Sequence, residues 1–427
     1  MEQANELKVS NQVHNFISSF TDTWWSTSKD FPKLKNTTTY WHKKKQERLT
    51  NDFIDKFVKA IKSFPLGNQN QRIWKKNINL LIDNFVANSD LINSEDKNIL
   101  FSEALLKNTE NFVNEAQAFN PDMPIENIGQ ALRNLWIMNI IQMLFGKLPK
   151  LTPSIFSYSM LYPYTDNFLD DNNISKSEKI KMNDTFEKKL AGESVQPISP
   201  YERHLFNLVE KIEGEFDRSK NIEVFESLLC IQNAQMKSLI QQGKLTLPYE
   251  CDILGISMEK GGSSVLADAY IVNGSLTEEE AEFFFGYGVL LQICDDLQDA
   301  KEDFKNGHMT IVSQLSTKWP LDHIANCLIN FTFDLLNNTK AFNCPNIDLL
   351  KELIQKNCLK LILFAITKNK SLYSKKYFKK MKAYFPYTPR YMKNLYKKLK
   401  RKYSNNIKES YNGMTTNEII MYALKPE

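Results

Sequence analysis

Residues 277–304 read TEEEAEFFFGYGVLLQICDDLQDAKEDF, and the fold class follows from how this stretch must be buried. Thr277 followed by Glu280 predicts a capping box, and Glu278 and Glu279 suit the positive end of a helix. The inner part, FFFGYGVLLQIC, is apolar nearly all round, which places the helix in the middle of a bundle. At ~1.5 Å per residue it spans about 40 Å. Gly286 and Gly288 each weaken a helix by roughly 1 kcal/mol against Ala, so another group is expected to need the space beside them.

Outward from this helix the same spacing recurs. In FIDKFVKAIKSF, residues Phe53, Ile54, Phe57, Val58 and Ile61 share one face, and NINLLIDNFV behaves alike. Further helices are expected at roughly 93–107, 127–147, 150–170, 201–217, 222–242, 258–272, 321–337, 346–367 and 388–402. Loops fall at Asn120–Pro124, Gln196–Pro200, Asn273–Ser275, Asn306–Met309 and Phe342–Asn346, and no segment alternates as a strand would. Gly (14) and Pro (15) are too few among 427 residues for the turn every ~8–12 residues that an all-β chain needs. The expectation is an all-α chain, residues 1–427 forming one large helical bundle. Within it, 121–340 would be the catalytic core, flanked by N-terminal helices (1–120) without a recognisable motif and by C-terminal helices (341–427).

Composition removes several function classes. With 42% apolar and 24% charged residues, disorder over the whole length is excluded. No apolar run reaches the ~18 residues of a membrane span. The opening MEQANELKVSNQ is polar and acidic where a signal peptide would be basic and then apolar. Six scattered cysteines without a C-x-x-C pair read as reduced thiols, and five isolated histidines do not suggest a histidine metal centre. A cytoplasmic location is therefore expected. The net charge of +4 hides a basic block: residues 368–402 hold 14 Lys or Arg and no acid, leaving −10 elsewhere. Eight aromatics are interleaved there, a pattern that suits nucleic acid, an anionic membrane, a polyphosphate or simply a solvated helix pair.

Two acidic motifs carry the chemistry. Asp295, Asp299 and Asp303 stand at i, i+4 and i+8 and so share one helix face, with Asp296 alongside. Such a ladder repels itself unless a cation sits among the carboxylates, and carboxylate oxygens suit Mg²⁺. About 130 residues earlier, Tyr164-Thr-Asp166-Asn-Phe168-Leu-Asp170-Asp171 repeats the i, i+4 relation at the C-terminal end of another apolar helix. Acids are disfavoured at that end by the dipole, so decoration explains them poorly. Two ladders that each end an apolar helix can face one another across an antiparallel bundle.

YGVLLQICDDLQD resembles the second aspartate-rich motif of trans-isoprenyl diphosphate synthases, down to the aromatic-Gly pair, Gln292 and D-D-x-x-D. Glu259-Lys260-Gly261-Gly262 is similar to that family's diphosphate-binding Lys followed by small residues, and Asp303-Phe-Lys305-Asn-Gly307-His-Met-Thr310 to its downstream positions. The chain is identified by this resemblance as a member of the class I terpenoid synthase superfamily, closely over 260–315 and by motif order over 164–315. The resemblance implies an all-α fold around a deep apolar cavity and three Mg²⁺ ions held by Asp166, Asp170, Asp171, Asp295, Asp296, Asp299 and Asp303. Lys260, with Arg390-Tyr391 as a diphosphate-sensing pair and Gln292 beside them, would bind the diphosphate. The carbocation left behind would be lined by two or three of Phe156, Tyr158, Tyr162, Phe168, Phe284, Phe285 and Tyr287, with Tyr162 and Phe168 foremost.

The first motif is D-x-x-x-D-D, a form similar to squalene and phytoene synthases and to large bacterial terpene synthases. The Gly-Gly-Lys segment and the Arg pair with which chain-elongating enzymes hold isopentenyl diphosphate are missing, and no Arg follows Asp171 until Arg203. The expectation is a Mg²⁺-dependent terpene synthase, a lyase that ionises a linear prenyl diphosphate and cyclises it or eliminates. A trans-prenyl diphosphate synthase or head-to-head coupling transferase is the alternative enzyme, and a silent helical partner subunit the non-enzymatic one. No nucleic-acid partner is expected. Lysines at 397–402 suggest peripheral contact with an anionic membrane, and a homodimer is compatible with the resemblance.

Overall fold

The computed structural model describes residues 8–424 apart from 36, 93, 172, 243–250, 338–339 and 405–409. The chain is mostly helical, as expected. In order come α1 (Lys8–Ser26), α2 (Tyr40–Lys62), α3 (Asn68–Asn88), α4 (Ser94–Leu100), α5 (Glu103–Phe119), α6 (Ile125–Leu144), α7 (Pro153–Asp170), α8 (Lys176–Ala191) and α9 (Pro200–Glu213). They are followed by α10 (Ile222–Ser238), α11 (Ile253–Asn273), α12 (Glu278–Asn306), α13 (Ile311–Leu315), α14 (Asp322–Asn337), α15 (Ile347–Lys368), α16 (Lys375–Met381), α17 (Pro389–Ser404) and α18 (Thr416–Leu424). No described helix is long and apolar enough to cross a membrane.

The expected helix at 93–107 is two, α4 and α5, parted after Leu100. One hairpin was not anticipated: β1 (Ser410–Tyr411) pairs antiparallel with β2 (Met414–Thr415). Asn412 and Gly413 between them both have positive φ (52° and 85°), the requirement of a type I′ turn.

A single bundle over 1–427 does not describe the contacts. The chain divides into two compact units, each assembled from two separated stretches. The first comprises 1–32 and 111–365, the second 33–110 and 366–427; of the three boundaries, two fall inside helices, α5 and α15. The expected core at 121–340 lies wholly in the first unit. The expectation failed because hydrophobic periodicity reports that a helix buries a face, not which other helix covers it.

In the first unit α12 is a buried helix packed chiefly on α11, which also touches α10, α1, α6 and α7. Its capping box is present in both halves, Glu280 N–H to Thr277 Oγ1 (3.2 Å) and Thr277 N–H to Glu280 Oε2 (2.8 Å). Phe284, Phe285, Val289, Leu290, Ile293 and Leu297 have no exposed surface. The two glycines answer to close approach. A Cβ on Gly288 would lie 2.0 Å from the Gly261 carbonyl oxygen, so α11 and α12 meet backbone to backbone. The space beside Gly286 is filled by Phe20 of α1, whose ring a Cβ would meet at 2.5 Å.

The second unit has its own core. Ile61 and Phe64 pack with Trp74, Ile78, Ile82 and Val86 of α3 and with Ile419 and Ala423 of α18. The aromatics of the basic block belong to this unit, and most are interior: Tyr373, Tyr377, Phe378, Phe385 and Tyr387 are all under 9% exposed. They are packing residues, and Tyr384 and Tyr391 are half-buried. The side chains of Tyr396, Lys400 and Lys402 lie outside the described residues.

Candidate active site

The first unit brings both acidic motifs to one place. Lys260 of α11 supplies the link. Its Nζ lies 2.8 Å from Asp166 Oδ1 of α7, both side chains being less than a fifth exposed. Burial pulls the Lys260 pKa down, but Asp166, Tyr162 and Asp170 together outweigh it and hold the ammonium charged. Lys260 also acts on Asp295 and Asp296 of α12, so acids from both ladders share one cation. The glycine contact makes this possible: Gly261, the next residue, would clash with Gln292 Cβ at 2.4 Å if it carried a Cβ.

The α7 end is locally weakened. Pro163 cannot donate to the Ser159 carbonyl within the helix. Thr165 Oγ1 donates to the Leu161 (3.0 Å) and Tyr162 (3.3 Å) carbonyls, and the Tyr201 hydroxyl to that of Tyr164. Asp170 accepts from Gln242 Nε2 (2.8 Å) just beyond α10. Gln242 is in turn bridged to His308, and Met309 N–H reaches the Gln241 carbonyl at 2.8 Å. Gly307, φ 73°, ends α12 in the left-handed conformation that turns the chain toward this bridge. Three elements are thus tied together around the carboxylates.

The charges are incompletely neutralised. Desolvation, with Asp299 adding repulsion, raises the Asp295 carboxyl to about 6. Asp296 is 3% exposed; burial raises it to about 7 against the hydrogen bond from Gln292 Nε2 (2.9 Å). Its Oδ2 has no hydrogen-bond partner. Asp303 is raised to about 8 by desolvation and by Asp296, Asp299 and Asp295. Asp170 is raised by desolvation first and Asp166 second, although its surface reaches solvent. Asp295 is likewise both exposed and crowded. Asp171 is turned to its own loop, where Asn173 donates to it through N–H (2.8 Å) and Nδ2 (2.9 Å).

Other expected residues divide. Tyr162 belongs to the cluster: Asp166 first, then burial and Asp295 raise its phenol, while Lys260 and Arg133 oppose. Phe168 does not; it stacks on Tyr201 at 4.9 Å. Phe156, Phe284 and Phe285 are fully buried core rings. Tyr158 and Tyr162 line a small recess with Leu161, Thr165, Phe186, Leu190, Leu228, Ile231, Gln232 and Gln235. Its volume is about 20 Å³, the size of a water molecule and far too small for a prenyl chain. Arg390 and Tyr391 belong to the second unit, where Tyr391 hydroxyl donates to Asn51 Oδ1 (3.2 Å) of α2.

Sequence reasoning missed Arg133, which acts on both Asp295 and Tyr162 from α6. A lone cation in the apolar run 127–146 was the available signal. It also missed Gln242, for which there was none, and His308, whose pKa burial and then Lys260 lower. Deeper in, fully buried Asp268 accepts from Asn134 Nδ2 (2.9 Å), and burial raises its carboxyl well above the ordinary range.

The donor chemistry suits a hard cation: carboxylate oxygens from two helices, raised pKa values and an unpartnered buried Asp296 oxygen. Among the described residues no three acid, His or Cys side chains stand close enough together to hold one. Lys260 is the cation seated against the first ladder. No family model and no curated protein matches this chain.

Proposed function

We propose that this protein is a Mg²⁺-dependent class I terpene synthase, ionising a linear prenyl diphosphate and releasing a cyclised or eliminated terpene. One observation carries the reading: Lys260 pairs with Asp166 of the first ladder and acts on Asp295 of the second. Asp166, Asp170, Asp295 and Asp299 are the residues that would hold Mg²⁺, with Asp171, Asp296 and Asp303 around them. Bound there, Mg²⁺ would supply Lewis-acid neutralisation of the leaving diphosphate. Lys260 and Arg133 donate charge-assisted hydrogen bonds to the diphosphate oxygens and orient the allylic carbon inward. Tyr162, kept protonated, presents a ring at the junction of charged mouth and apolar interior. The tail would occupy the space between α7, α8 and α10, where Phe186, Leu190, Leu228 and Ile231 exclude water once they part.

Arg133 favours a second reading. A planar cation at the site is what prenyl transfer needs to hold a second diphosphate, whereas Lys179, which follows the first motif, donates to the Leu169 carbonyl at 2.5 Å. Incubating the full chain with C10, C15 and C20 allylic diphosphates and Mg²⁺, with and without isopentenyl diphosphate, tests both. Pyrophosphate and a hydrocarbon or alcohol from one substrate alone support the lyase. Incorporation of labelled isopentenyl diphosphate supports the transferase, and no turnover with any substrate supports a silent subunit.

A further inference from the structure

A second recess of the first unit lies away from the acidic motifs, at the other end of α12. Its volume is about 530 Å³, within the range of sites that bind small molecules. From Glu282 on its rim to Asp295 is about 20 Å along the helix, so the two sites are separate. The floor is apolar and fixed. Phe20 and Phe331 meet edge to face at 6.1 Å, and Phe331 meets Trp24 likewise at 6.1 Å. Gly286 lets Phe20 and Leu335 approach α12, so these side chains are held rather than free to fold into the space.

The rim has one sign. Glu279 and Glu282 stand at i, i+3 on one face of α12, and Asp334 faces them from α14. All three are exposed, and Lys340 is the basic residue among the described lining. Three carboxylates against one ammonium leave a net charge of −2 over an apolar floor. The carboxylates give a cation a Coulomb term that a neutral ligand cannot use, and the apolar floor suits an apolar body. We propose that this recess binds a small organic cation with an apolar body, of the alkyl- or arylammonium class. The cation also relieves the Glu279–Glu282 repulsion. Nothing in this depends on the function proposed for the acidic motifs.

Isothermal titration calorimetry of the full chain tests it, with benzyltrimethylammonium as the probe and benzyl alcohol and benzoate as neutral and anionic counterparts. The expected result is one site for the cation, at least about tenfold tighter than benzyl alcohol, with benzoate not binding. Glu282→Gln and Asp334→Asn should each weaken the cation about three- to fivefold, and Thr23→Trp should block it by filling the recess. Asp295→Asn, at the other site, should leave binding unchanged. Thermal melts of each variant separate lost binding from lost folding. Equal affinity for the cation and benzyl alcohol, no binding at all, or loss of binding in Asp295→Asn but not in Glu282→Gln would overturn the proposal.

Discussion

Asp296→Asn isolates the electrostatic strain of the candidate site. The Asp296 carboxyl is buried, accepts from Gln292 with the Ser257 hydroxyl also lowering it, and is still raised to about 7 where an ordinary aspartate titrates at 3.8. A carboxyl raised on folding gives its full stability below the unfolded value and loses it as pH climbs through the folded one. From pH 5 to pH 8 the charged form must be forced into the interior over roughly two pH units, which costs about 3 kcal/mol. Asparagine keeps an oxygen for Gln292 and never ionises, so the variant escapes this loss. Differential scanning calorimetry in chelator-treated buffer should show the variant gaining on the wild type from pH 5 to pH 8. At ~2 °C per kcal/mol for a unit this large, the Tm difference should widen by roughly 5 °C. A difference that is the same at both pH values would refute the burial argument, whichever protein is the more stable.

Asp166→Asn and Asp295→Asn should abolish pyrophosphate release while leaving the helical circular dichroism intact, and Mg²⁺ at pH 8 should raise the wild-type Tm more than theirs. Lys260→Met should lower turnover at least about 100-fold by removing the cation shared by both ladders, measured as pyrophosphate release at saturating substrate. Gly288→Ala gains helix propensity, about 1 kcal/mol, but must push α11 off α12; a Tm drop corresponding to about 1–3 kcal/mol net is expected in thermal melts. Labelled isopentenyl diphosphate should not enter the product; its efficient incorporation would promote the transferase reading.

What the sequence made legible is local. The Thr277–Glu280 box, the apolar run of α12 and the i, i+4 acids are all set by neighbours within a few residues, and periodicity exposes them. Gly286 and Gly288 announced that something needed room, but not that it was Phe20 and the backbone at Gly261. Those partners lie far away along the chain, where pattern has no reach. Arg133 and Gln242 join the cluster for the same reason: α6 and the end of α10 are brought to α7 by packing that no spacing encodes. The interleaved aromatics of 368–402 left several readings open. Basic residues between rings look alike whether the rings stack on a ligand or form a core, and here they form a core.

The division of the chain into interleaved stretches has a consequence for its synthesis. The core around Trp74 and Ile78 is closed by Ile419 and Ala423, which leave the ribosome only after residues 111–365 have been made. At ~5–20 residues per second, the apolar faces of α2 and α3 wait on the order of tens of seconds for α18. Before that interval ends, once residue 365 has been made, the first unit has α1 and everything from 111 onward in hand. It can therefore mature while its neighbour is still half made, and a chain stalled or nicked near residue 410 should carry one finished unit and one aggregation-prone half.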